Sequence, residues 1–147
     1  MKKFHLLLIA LFILALAGGY YLATRSGGFN LDAYAPQLPG GEFELQSVNG
    51  PVHLSDFKGK LVLIYFGYTH CPDICPTALA LTTGALKQMS AAELAQVQTL
   101  FISIDPRRDT PERMGEYAGF FHPSIIGLTG SETQINDVAR RFGAYYS

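Results

Sequence analysis

The sequence predicts an α/β domain built on a largely parallel sheet, preceded by an N-terminal transmembrane helix. Three observations carry that expectation. Short β-branched and aromatic runs alternate with segments whose apolar residues fall at helical spacing, the pattern of βαβ units. At 147 residues, 48% hydrophobic and 16% charged, the chain is too apolar for disorder and suits one packed core plus extras. Residues 4–23 form an almost unbroken apolar run, matching the ~20 residues that a helix needs to cross a bilayer.

Within that first run His5 is the one strongly polar side chain. Lys2 and Lys3 precede it and Arg25 closes it, so the positive-inside rule keeps the N-terminus in the cytoplasm and exports the rest of the chain. Residues 1–25 are expected to be a single-pass anchor in the cell (inner) membrane. The soluble domain then lies on the periplasmic or extracytoplasmic side. The rival reading is a cleaved signal peptide, because Ala15-Leu16-Ala17 before Gly18 looks like a small-residue cleavage site. Tyr20, Tyr21 and Leu22 carry the apolar run past that site and favour the anchor. Residues 26–41, with two glycine pairs and Pro36 and Pro39, read as a linker.

The domain is expected over residues 42–147. Phe43, Leu45 and Val48, an Asn49-Gly50 turn, then Val52 and Leu54 signal a hairpin. Leu61 to Phe66 is a continuous apolar run that suits a strand covered on both faces. A helix is expected from about Pro76 to Met89, and Ser90 with Glu93 forms a capping box for a further turn. Val97 to Ile104 reads as a second buried strand. Thr110 caps a helix with Pro111 in its favoured first position, and Met114, Tyr117, Ala118 and Phe121 share a face. Ile125 to Leu128 is a third short strand. Ser131 with Gln134 opens a last helix, along which Ile135, Val138, Ala139 and Phe142 line one side.

Such a topology brings the loops after successive parallel strands to one edge of the sheet, where open α/β sheets bind their ligands. One of those loops holds Cys71 and Cys75; the other holds Asp105-Pro106-Arg107-Arg108-Asp109. Export bears on the cysteines, because an exported pair is usually a structural disulfide. A bridge across only three residues closes a tiny loop, and its stabilisation would be correspondingly small. Redox or metal chemistry is the better expectation. Cys75 falls at a helix start with Pro76 in the first turn, where backbone N–H groups and the dipole favour a thiolate. A thiolate is both the nucleophile of disulfide exchange and a soft ligand that selects Cu(I). From residue 26 onward, acidic side chains outnumber basic ones twelve to eight, and no basic patch interleaves with aromatics. Nucleic acid is therefore not an expected partner.

The segments GKLVLIYFGYTHCPDICPTAL, FISIDPRRDTPERMGEY and IIGLTGSETQI, in that order from about Gly41 to Tyr146, resemble the Sco/SenC family. Phe-Gly-Tyr-Thr-x-Cys-Pro-Asp-x-Cys-Pro is the specific part; a bare Cys-x-x-x-Cys would be weak. The resemblance implies a thioredoxin-like fold, copper as the bound metal, and delivery of copper to the copper-site subunit of cytochrome c oxidase or to another cuproprotein. It implies that Cys71 and Cys75 are both copper ligands and a redox pair, and that Asp105 is the acidic residue standing behind them. It also implies a histidine ligand in a late loop beyond residue 147. The domain is accordingly expected to be incomplete at its C-terminus.

Plainer readings stand beside these. His70 is expected to pack or face solvent; His53 and His122 read as surface or capping residues. Asp105 alone could simply end a strand before Pro106. Arg107 and Arg108 suit a solvated face, Asp73 the start of a helix, and Tyr65, Tyr68, Phe120 and Phe121 a core or pocket wall. Two rivals to a copper chaperone remain. A thiol–disulfide oxidoreductase would use the same dithiol on a partner's cysteines. A peroxidase ranks last, since no Pro-x-x-x-Thr-x-x-Cys pattern precedes Cys71.

Overall fold

A computed structural model describes residues 40–146. The expected anchor at residues 1–25 and nearly all of the expected linker lie outside them. No helix among the described residues is long and apolar enough to cross a membrane.

Strands β1 (Glu44–Ser47) and β2 (Gly50–His53) form the expected hairpin, with Leu45 opposite Val52. Its turn sits one residue earlier than the Asn49-Gly50 signal suggested. Ser47 pairs with Gly50, leaving Val48-Asn49 as the loop. The Ser47 hydroxyl closes it, accepting from the Asn49 N–H at 3.2 Å and donating to the Gly50 carbonyl at 2.8 Å. Gly50 supplies the left-handed φ of +108° that lets β2 begin there.

Strands β3 (Leu61–Gly67), β4 (Val97–Ser103) and β5 (Ile125–Leu128) form a parallel sheet in the order β3-β4-β5. Between them run α1 (Ile74–Leu86), the short α2 (Ala91–Leu94) and α3 (Pro111–Phe121); α4 (Glu132–Arg141) follows β5. The caps expected at Ser90, Thr110 and Ser131 all form, each side chain accepting the N–H three residues on. Helix α1 starts two residues before Pro76, with Asp73 at its N-cap. Gln46 and Thr129 exchange backbone hydrogen bonds of 2.8 and 2.9 Å, tying the hairpin to the end of β5.

Alternation along β4 sorts the core onto two faces. Leu100 and Ile102 meet Phe43, Leu45, Leu128, Ile135 and Val138 on the hairpin and α4 side. Phe101, between them, meets Leu79, Leu86, Met114 and Ala118 of α1 and α3. Strand β4 is thus buried from Gln98 to Ser103, as its apolar run predicts. Strand β3 is not: it is the edge of this sheet, and Leu61 and Leu63 are exposed. An apolar run reports that a strand is hydrophobic, not that both its faces are covered. Phe120 departs similarly, standing 83% exposed on α3 rather than in a core or wall. At Gly127 a Cβ would lie 2.2 Å from the Met114 carbonyl oxygen, so glycine is what lets α3 lie against β5.

Candidate functional site

Gly67 and Ser103 are register partners at the carboxyl ends of β3 and β4. The cysteine loop and the Asp105–Asp109 loop therefore leave the same sheet edge side by side, as the topology predicts. The Ile104 N–H donates to the Gly67 carbonyl at 2.8 Å and continues the ladder into both loops.

Both cysteines are free thiols, and their surroundings differ sharply. Cys75 lies in the first turn of α1, only 5% exposed, with its sulfur turned down onto the end of β3. A Cβ at Gly67 would stand 2.9 Å from that sulfur and 2.8 Å from the Phe101 ring. The missing side chain is the seat of the thiol. Burial pushes the Cys75 thiol up, and the neighbouring Cys71 adds to the rise. The Tyr68 backbone and the Tyr65 hydroxyl, which donate to the sulfur, oppose it. The Tyr65 phenol is itself pushed up to about 12, first by burial and then by holding its proton toward Cys75. Tyr65 stacks on Phe101 at 5.8 Å, which fixes that hydroxyl in place.

Cys71 precedes the helix and is partly exposed. Its sulfur faces the opening turn of α1, where the backbone N–H groups of Asp73, Cys75 and Ile74 hold its pKa down to about 7. The Cys75 N–H lies 3.4 Å from it. This reverses the sequence expectation, which gave the helix-stabilised thiolate to Cys75. A side chain inside the first turn points back onto the sheet and is desolvated; one placed just before the turn lies across the open amides. The two sulfurs are close enough to share a hydrogen bond.

Asp109 is a residue that sequence reasoning misses. It has zero exposure, and its carboxylate accepts the Thr69 N–H at 3.1 Å, the Thr69 hydroxyl at 2.6 Å and the Ser103 hydroxyl at 2.7 Å. Asp105 has other contacts. Its carboxylate pairs with Arg108, while its carbonyl accepts the Asp109 N–H at 3.0 Å. Arg107 pairs with Glu132, and both side chains are largely solvated, as expected for the arginine pair. His70 is partly exposed, with Nδ1 3.8 Å from Asp109. His122 caps the end of α3 and contacts Ser124 at 2.7 Å; His53 caps the 3-10 turn at Leu54–Phe57. Among the described residues no group of three His, Cys, Asp or Glu side chains converges, so the two sulfurs stand as a pair.

The family model described as SCO1/SenC matches residues 32–147. The chain belongs to the SCO1/SenC family. It is 39% identical to the mitochondrial protein SCO2 of Saccharomyces cerevisiae, over 92% of this chain and 48% of that protein. Among solved structures, ScoI of Bradyrhizobium japonicum with copper bound superposes with a TM-score of 0.70 at 42% identity, covering 74% of this chain and 69% of that one. BsSco, a Sco-family cytochrome c oxidase assembly protein in which a disulfide switch was identified, superposes at 0.63 with 28% identity, covering 75% and 67%. The chain spans about half the length of the curated relatives it matches. The described domain has the α/β, thioredoxin-like fold of these SCO1/SenC proteins.

Proposed function

We propose that the protein is a copper chaperone in which reduced Cys71 and Cys75 take Cu(I) as cargo and pass it to an oxidase copper-site subunit or another cuproprotein. The observation that carries this reading is the unequal thiol pair at the sheet edge. Two soft sulfurs within reach of each other match Cu(I) in ligand type. With a pKa held down to about 7, the Cys71 sulfur is about half thiolate at neutral pH and meets the ion first. Cys75 gives up its proton as the cation arrives, because a positive charge beside the buried sulfur offsets its desolvation. Transfer proceeds by exchange of thiolate ligands with the acceptor. Asp105 enters this reading through the family resemblance, since its carboxylate pairs with Arg108. Residues 1–25 anchor the domain on the extracytoplasmic side of the membrane in this reading, and the similarity to copper-bound ScoI and to BsSco supports its copper and oxidase parts.

The same asymmetry favours one alternative. An accessible Cys71 thiolate attacks a partner disulfide and releases one partner thiolate; Cys75 then attacks the Cys71 sulfur and releases the other. Two electrons pass to the partner, and the pair is left as a disulfide. The reduced full chain in detergent, titrated with Cu(I) against a competing chelator, separates the two. One tightly held ion that is lost in Cys71→Ala supports the chaperone. A folded, reduced chain that takes no copper from the chelator refutes it and leaves thiol exchange.

A further inference from the structure

We infer that Asp109 is the positioning residue of the cysteine pair, acting through Thr69. This rests on reading Cys71 and Cys75 as the working pair. A carboxylate with no exposure is costly to bury unless its lone pairs are used. Asp109 forms no ion pair with lysine or arginine among the described residues, and the one imidazole facing it, His70, stands farther off at 3.8 Å than its hydrogen-bond donors. Its partners are instead arranged as a clamp. One oxygen accepts the Thr69 N–H and the Ser103 hydroxyl; the other accepts the Thr69 hydroxyl.

Ser103 is fixed in the buried strand β4, and it also accepts the Asp105 N–H at 3.0 Å. Thr69 is two residues from Cys71 and is gripped through both its backbone and its side chain. The Arg113 Nε donates to the same Thr69 hydroxyl at 3.0 Å, adding a tie to α3. Tyr68, next in the chain, accepts the Cys71 N–H at 3.3 Å. The clamp thus reaches from the sheet through Thr69 to the residue that carries the exposed sulfur. It sets where Cys71 lies against the first turn of α1, and it touches neither sulfur.

Asp109→Ala, Asp109→Asn and Thr69→Val in the full chain test this by two readouts: Cu(I) affinity by chelator competition, and the dithiol–disulfide equilibrium with glutathione. In the second, the pair gives two electrons and two protons to glutathione disulfide, yielding two glutathione thiols. Asp109→Ala and Thr69→Val are expected to weaken Cu(I) about tenfold, the usual range for a residue behind a metal ligand, and to shift the glutathione equilibrium. Asp109→Asn keeps the shape and one acceptor oxygen, and is expected to lie closer to wild type. The double variant Asp109→Ala with Thr69→Val is expected to be no worse than Asp109→Ala alone, because both sever one linkage. Folded variants with unchanged affinity and unchanged equilibrium would overturn the inference, as would Asp109→Asn behaving like Asp109→Ala. If Asp109→Ala fails to fold, Thr69→Val alone decides it, since valine keeps the volume and the N–H. A wild type that binds no Cu(I) would sink the chaperone reading and leave the glutathione readout to judge the clamp.

Discussion

Gly67→Ala should destabilise the fold and disturb Cys75, although alanine is ordinarily the better residue in a strand. The added methyl would sit 2.8 Å from Phe101 Cε2, 2.9 Å from Cys75 Sγ and 3.2 Å from Tyr65 Cε1. Phe101 has zero exposure and is held between Tyr65 and Tyr117, so it cannot retreat. The sulfur is the softest of the three neighbours. Restoring ordinary contact requires it to move by roughly 0.5 Å, which shifts the first turn of α1 or rotates the thiol toward Cys71. Overpacking of this kind costs about 1–3 kcal/mol.

Gly84→Ala is the control. It lies in the same helix as Cys75 with nothing within 4 Å of its would-be Cβ, so it should gain the helix propensity of alanine, about 0.5–1 kcal/mol. Urea denaturation followed by circular dichroism measures both. Reaction of the reduced protein with an aromatic disulfide reagent reports whether Cys75 has become accessible. A Gly67→Ala variant that matches wild type within about 0.5 kcal/mol, a typical surface effect, with Cys75 still protected would show that the end of β3 has room for the methyl.

Three further outcomes are expected. Alkylation of Cys71 by iodoacetamide should rise with pH around a midpoint near 7, rather than near the ordinary thiol value of 9.0; a midpoint above about 8.5 would contradict the amide-held thiolate. Gly127→Ala should disrupt packing of α3 on β5, since the methyl meets backbone at 2.2 Å, and a loss of about 3 kcal/mol by denaturation is expected. Ser131→Ala removes the capping oxygen of α4 and should cost about 1 kcal/mol, with the Cys71 alkylation profile unchanged.

Much of the fold was legible because its signals are local. Thr110 before Pro111, Ser131 with Gln134, and the apolar run from Val97 each state their structure within a few residues, and each formed. Burial was less legible. Leu61 and Leu63 carry the same hydrophobicity as Leu100 and Ile102, but strand order decides which are covered, and order is set by pairing across long separations. At the candidate site, the Cys-x-x-x-Cys pair is conspicuous by residue type. Asp109 did not. It sits before a capped helix like any solvated aspartate, and only the fold brings Thr69, forty residues earlier, onto its carboxylate. Gly67 was silent for the same reason, since a missing side chain gives no sign of the sulfur that fills its place.

The division of labour between the cysteines comes from how α1 begins. A helix leaves its first N–H groups without partners, and the usual remedy is an oxygen from the N-cap side chain. Asp73 occupies the N-cap of α1 but makes no side-chain cap bond. The Cys71 sulfur faces those amides instead, so the helix is capped by a thiolate and the thiolate is stabilised by the helix. The coupling has a sign that can be measured. Cys71 has its pKa depressed in the fold from 9.0 to about 7. Its contribution to stability is therefore fully present above the unfolded value, near pH 9, and is lost as pH falls through about 7. Cys71→Ala should accordingly match wild type near pH 6 and fall behind it progressively toward pH 9, in denaturation of the reduced protein. Because Cys75 titrates in the opposite sense, its thiol favoured by burial, the comparison is best repeated in a Cys75→Ser background. A gap between Cys71→Ala and its parent that does not change with pH would mean that the sulfur is a passenger at the helix terminus, and that the low pKa of Cys71 has another cause.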